Sequence, residues 1–156
     1  MKRFVAGAVM AASLLTCVPA AAARNPVMAP IVAAMKASNA GDRAGLIALF
    51  TPDATVVDNF APYRFTPPNG VGTWYDGFGA DAAASHSTDG IITIKAPRYL
   101  HVHGDRAWAV VPTAYRYKLK GTPELETGAL VFTSRIGGSW KITTMSWAEA
   151  SDSGLP

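Results

Sequence analysis

The chain is short of cysteine. Of its 156 residues only Cys17 is one, and it lies in an N-terminal stretch ahead of everything that reads as folded. Without that stretch there is no disulfide, no thiol nucleophile and no cysteine-ligated metal. The core must then hold the domain together unaided, even in an oxidising compartment. Charge is sparse too, at 16% of residues. Lys2 and Arg3 fall in the same N-terminal stretch, and without them the 14 basic residues become 12 against 11 acidic ones. No Lys/Arg cluster is left, which argues against nucleic acid as a partner. A long hydrophobic run is also missing. Phe4 to Val18 is apolar for about fifteen residues, too few for a helix to cross a bilayer ~30 Å thick.

Those first residues instead have the layout of a secretory signal peptide. Lys2-Arg3 is the charged start, Phe4–Val18 the apolar centre, and Ala21-Ala22-Ala23 a cleavage site of small residues before Arg24. A retained anchor and lipidation at Cys17 are the alternatives, and Thr16 fits lipoprotein processing poorly. The expectation is a signal peptide over 1–23 and one domain over 24–156. The mature protein would be periplasmic or secreted, with no membrane association. Its 133 residues suffice for one self-supporting core.

Asn25-Pro26 predicts a helix start, with Asn as cap and Pro at the first helical position. Met28, Ile31, Val32 and Met35 follow at helical spacing, and Asn39-Ala40-Gly41 ends the run. Asp42 predicts the cap of a second helix, with Leu46, Leu49 and Phe50 as its apolar stripe and Pro52-Asp53 as its stop. A strand is expected over Ala54–Asp58. Residues 59–72 read as loop, with a tight turn at Asn69-Gly70. Trp74–Ser87 predicts a short helix weakened by Gly77 and Gly79. Then Ile91–Val102, Ala107–Leu119, Gly128–Ile136 and Trp140–Trp147 read as strands. Gly104-Asp105, Gly121 and Gly137-Gly138 separate them as hairpin turns. Helices followed by a meander imply an α+β domain with helices on one face of an antiparallel sheet.

Two stretches carry a family resemblance: NAGDRAGLIALFTPDATVVD (Asn39–Asp58) and GGSWKITTMSWA (Gly137–Ala148). The first resembles the helix–helix–strand opening of the NTF2-like superfamily, in its ketosteroid isomerase-like and SnoaL-like branch. The second resembles that superfamily's last hairpin and strand. The resemblance implies a cone-shaped fold: N-terminal helices on a strongly curved sheet, enclosing a pocket. It also implies a homodimer formed through the outer sheet face. Fold alone does not give function, since the superfamily spans isomerases, dehydratases and subunits without activity.

Asp58 falls where ketosteroid isomerase-like members carry a general base. Alternation along the strand puts Ala54, Val56 and Asp58 on one face. An Asp beside Phe60 and other apolar groups would lose hydration and become a better base. An Asp that hydrogen-bonds its own turn is the competing reading. The rest of the isomerase site, a Tyr and a protonated Asp forming an oxyanion hole, is a known worked case, and it has no counterpart here. Ala34 occupies the Tyr position, and Ala129–Ser134 contains no acid.

Other residues offer themselves. Tyr99, His101 and His103 alternate on one strand, as do Tyr115 and Tyr117 on the next. His101 is the candidate acid–base partner of Asp58, as in scytalone dehydratase-like members; an outward-facing His101 is the alternative. His101 and His103 alone are a weak zinc signal. His86 has no nucleophile turn around it. No metal or cofactor is implied. Trp108 and Trp140 read as core. Trp74, Met145 and Trp147 read as pocket lining, with Val56, Phe60 and Tyr115, for a small apolar or aromatic ligand. Three functions follow from these readings. One is an exported isomerase or dehydratase with Asp58 as base. The second is a non-catalytic periplasmic ligand-binding domain. The third is an interaction module using the outer sheet face.

Overall fold

The structure is a computed structural model, and it describes residues 25–150. The expected signal peptide lies outside the described residues. Three helices and seven strands follow in order: α1 (Met28–Asn39), α2 (Arg43–Ala48), β1 (Phe50–Val57), β2 (Arg64–Phe65), α3 (Gly70–Ser85), β3 (Ser87–Ile94), β4 (Tyr99–His103), β5 (Arg106–Leu119), β6 (Thr122–Gly137) and β7 (Ser139–Glu149). No described helix is long and apolar enough to cross a membrane.

The N-terminal helix begins two residues later than its sequence suggests. Val27, not Asn25, is the N-cap, and Asn25 closes the turn before it: its Oδ1 accepts from Val27 N at 3.0 Å and its carbonyl from Met28 N at 2.9 Å. The α-helix proper starts at Met28. Gly41 at φ +70° ends the run, a conformation that suits glycine. Asp42 caps α2 as expected, accepting from Gly45 N at 2.8 Å.

Pro52 and Asp53 do not stop a helix; they lie inside β1, which begins at Phe50. The pairing explains why. β1 runs parallel to β7 with Phe50 opposite Ile142, yet Thr55 is already opposite Thr144. Five steps on one strand match two on the other, so Pro52 sits in a bulge, where its missing N–H costs no ladder bond. The expected single strand Ile91–Val102 is also two. It breaks around Pro97, and the halves β3 and β4 pair with successive parts of β5. Lys95 N and Arg98 N, on either side of the break, still donate to Pro112 and Val110 carbonyls.

The sheet order is β2-β1-β7-β6-β5-β3, with β4 also on β5. Every neighbouring pair is antiparallel except β1 and β7. The sheet is curved and unclosed. Helices cover its concave face around a core of Met28, Ile31, Leu46, Val56, Val111, Phe132, Ile142 and Met145, none more than 2% exposed. Burying each such side chain contributes roughly 1.5–3 kcal/mol. The edge strand β3 is tied to α1 by Asn39, whose amide donates to Ile92 O at 2.7 Å and accepts from Ile92 N at 2.9 Å. That side chain satisfies an edge that would otherwise pair with another chain. Arg43 of α2 grips Asp76 of α3 with two bonds at 2.7 and 2.8 Å.

Candidate functional site

A cavity of about 560 Å³ opens between α1, α3 and the concave face of β5, β6 and β7. That is within the range of small-molecule sites. Four elements bring its chemistry together. The end of β1 delivers Asp58 to its wall, the following loop adds Phe60, α3 adds Trp74 and Phe78, and β5 adds Tyr115 and Tyr117.

Asp58 makes its local turn bond and also reaches the cavity wall. Its Oδ1 accepts from Asn59 N at 2.8 Å, which is the local turn bond. Its Oδ2 accepts from Trp74 Nε1 at 2.7 Å across the cavity wall. The carboxyl is half-buried. Burial pushes its pKa above the ordinary value; the Trp74 and Asn59 bonds pull it back in part, and the charge of Asp81 adds to the rise. Loss of hydration therefore outweighs two good hydrogen bonds, which makes a stronger base than a solvated aspartate.

Of the other expected pocket residues, Phe60, Trp74, Tyr115, Met145 and Trp147 line the cavity. Val56 shares their side of the sheet but is wholly buried in the core behind it and does not line the cavity. His101 is on the other face of the sheet. It lies exposed on β4 with its ring over Trp108, centroids 5.6 Å apart and planes at 29°. Leu100, next to it, is the β4 residue that turns inward against the core. His101 is therefore not brought to Asp58. Trp108 departs from the expected core position as well: it is 39% exposed, between His101 and Tyr99. Alternation along β5 explains this, since Ala107 and Ala109 take the buried side. Among the described residues no group of three His, Cys, Asp or Glu side chains is placed to hold a metal.

The cavity also contains residues that the sequence did not single out. Phe78 stacks on Trp74 at 6.1 Å and meets Tyr115 at 5.6 Å. Tyr115 in turn stacks on Tyr117 at 4.9 Å. Tyr117 Oη donates to Glu126 Oε1 at 2.9 Å. That bond, with burial and the negative charges nearby, pushes the Tyr117 pKa up to about 12. Tyr115 is raised as well, by burial first and then by Glu126. The signal for Phe78 was present as Trp74 and Phe78 four apart on one helix face. Glu126 gave no signal, because it reaches the cavity only through the β5–β6 register that sets it opposite Tyr115.

The fold has close counterparts among solved structures. A ketosteroid isomerase-like protein from Erwinia carotovora atroseptica is 18% identical with a TM-score of 0.63, covering 81% of this chain and 95% of that one. An NTF2-like protein with a cystatin-like fold from Novosphingobium aromaticivorans is 19% identical with a TM-score of 0.68, covering 83% of each. A hexachlorocyclohexane dehydrochlorinase, LinA-type3, from Novosphingobium barchaimii is 13% identical with a TM-score of 0.69, covering 85% of this chain and 89% of that one. No protein-family model matches the chain, and no curated protein matches it significantly. The chain thus has the NTF2-like fold of the ketosteroid isomerase-like and SnoaL-like proteins.

Proposed function

We propose that the protein is an exported proton-transfer enzyme of isomerase or lyase type, with Asp58 as general base for a small, largely apolar carbonyl compound. The observation that carries it is one half-buried carboxylate, fixed by Trp74 and Asn59, on the wall of an aromatic cavity. Fixed geometry and a raised proton affinity are what a general base needs. Solved structures with this fold include proteins described as ketosteroid isomerase-like and as a dehydrochlorinase, so removal of a proton from carbon is in keeping with them. In such a step the C–H bond breaks toward Asp58. Its electron pair then forms either an enolate or, with loss of a neighbouring substituent, a double bond.

The test is deuterium incorporation. The mature protein is incubated in D2O with a panel of cyclic ketones that quench its tryptophan fluorescence, and exchange at the carbon next to the carbonyl is read by mass spectrometry. Wild type is expected to speed exchange, and Asp58→Asn to lose on the order of 10²-fold or more. If every bound ketone stays undeuterated, the second reading replaces the first: a non-catalytic periplasmic binding domain. The same aromatic lining supports that reading.

A further inference from the structure

Among the described residues, most of the hydroxyls along the cavity are already committed. Tyr117 Oη is bonded to Glu126, Thr113 Oγ1 to the Val111 carbonyl at 2.8 Å, and Ser85 and Ser87 to each other at 2.9 Å. Tyr63 is 61% exposed at the rim. Tyr115 differs from all of these. It is half-buried, its ring is fixed between Phe78 and Tyr117, and its hydroxyl has no protein partner among the described residues. Space for it is made by Gly90 on β3. A Cβ at position 90 would fall on Tyr115 Oη. Gly90 lies in the register shift of β3 between Thr88 and Ile91, and the glycine there leaves room for the ring.

Glu126 lies opposite Tyr115 in the β5–β6 register, and its charge acts on the Tyr115 hydroxyl. Only Oε1 is engaged, by Tyr117; Oε2 has no protein donor among the described residues. The cavity wall therefore holds a donor and an acceptor on residues that face each other across the β5–β6 pair, and both line the cavity. The donor is two ring contacts away from Trp74, the partner of Asp58. A ligand carbonyl would use only the donor. A ligand hydroxyl uses both, accepting from Tyr115 Oη and donating to Glu126 Oε2.

We propose that Tyr115 and Glu126 form a hydroxyl-recognition subsite, and that the ligand of this cavity is a planar aromatic compound bearing a hydroxyl group. The proposal rests on the reading of the cavity as a small-molecule site, but not on catalysis by Asp58. The flat surfaces of Trp74, Phe78, Tyr115 and Tyr117 suit a flat ring system. The elevated pKa of Tyr115 keeps its hydroxyl protonated, and so a donor, across the physiological range.

The experiment compares 2-naphthol, 2-methoxynaphthalene and 2-methylnaphthalene by tryptophan-fluorescence titration. The first offers a donor and an acceptor, the second an acceptor only, the third neither. Wild type is expected to prefer the naphthol over the methoxy compound by about tenfold, as a hydrogen bond to a charged group gives. Glu126→Gln keeps an acceptor for Tyr117 and should bring that preference toward one. Tyr115→Phe should weaken both oxygenated probes several-fold and leave 2-methylnaphthalene unchanged. Gly90→Ala, which retains every polar group but displaces the Tyr115 ring together with its hydroxyl, should weaken both oxygenated probes at least as much as Tyr115→Phe does. Equal binding of the three probes by wild type overturns the proposal. So does a preference that survives Glu126→Gln and Tyr115→Phe, which would pass the role to another acceptor on the cavity wall, such as the Asp81 carboxylate. Both results leave proton transfer at Asp58 standing. Failure of all three probes to bind overturns the subsite and the small-molecule reading together.

Discussion

At the scale of single residues, Asp58 combines a local turn bond with a desolvated place on the cavity wall. The turn bond to Asn59 would satisfy a surface aspartate. The Trp74 bond goes further by fixing the second oxygen, and the loss of hydration holds the proton affinity above the ordinary 3.8 in spite of that bond. That difference has a consequence for stability. Between 3.8 and its raised native value, Asp58 keeps a proton in the folded chain that the unfolded chain has released. Its contribution is fully present below 3.8 and is lost as pH rises through that window. Asp58→Asn has no such titration. The melting temperature of the variant should therefore gain on that of wild type as pH rises through the window, and then run parallel to it. Circular dichroism melts in half-unit pH steps read this directly. A gap that stays constant would mean that the carboxyl titrates as it does in the unfolded chain. The position of Asp58 was legible because period-2 alternation from Ala54 is a local rule. The place of His101 was not, because alternation tells which residues share a face and not which face is inside.

The elements show where local rules stop. Four glycines in α3 count against a helix on propensity, and the helix is nevertheless sixteen residues long, Gly70–Ser85. The glycines have different reasons. At Gly70 a Cβ would stand 2.8 Å from the Phe65 carbonyl oxygen and 3.2 Å from that of Ala54, so the start of α3 is pressed against the backbone of β2 and β1. At Gly77 it would meet Phe60 at 3.1 Å, which is how the helix lets that ring onto the cavity wall. At Gly79 there is nothing within 4 Å. Asn69-Gly70, expected as a tight turn, is instead the entry to this helix, with Asn69 at φ +63°. These contacts yield opposite expectations for the same change. Gly79→Ala should stabilise by about 0.5–1 kcal/mol through reduced freedom of the unfolded chain. Gly70→Ala should destabilise by about 1 kcal/mol or more, because backbone on both sides must move. Urea unfolding of the two variants measures both. A loss at Gly79 would mean that its exposed face is covered by something in solution. The sequence shows four glycines alike, and only the neighbours from other elements distinguish them.

The whole molecule is a curved sheet with two unlike faces. Helices and the cavity occupy the concave face. The order of elements predicted that arrangement, since helices that precede a meander must pack on its one apolar side. Sequence alone did not predict the bulge at Pro52 in the parallel β1–β7 pair, or the register that carries Glu126 to Tyr115. Both depend on pairing between distant segments. The convex face carries a stacked group of Tyr99, Trp108 and His101, with Tyr99 52% and Trp108 39% exposed. Tyr and Trp on a sheet face, away from the cavity, are the residue types that anchor interfaces. The expectation is a homodimer through this face, and Trp108→Glu tests it. The substitution also removes the covered part of the Trp108 ring and its stacking on Tyr99 and His101, so the isolated chain should lose about 1–3 kcal/mol, and a melt must show that the variant stays folded. Across an interface the same carboxylate would be desolvated without a partner. Sedimentation equilibrium at micromolar concentration should then give a dimer for wild type and a monomer for Trp108→Glu. A wild type that is already monomeric would reduce the aromatic group to an intramolecular stack. A variant that stays dimeric would move the interface to another part of the surface.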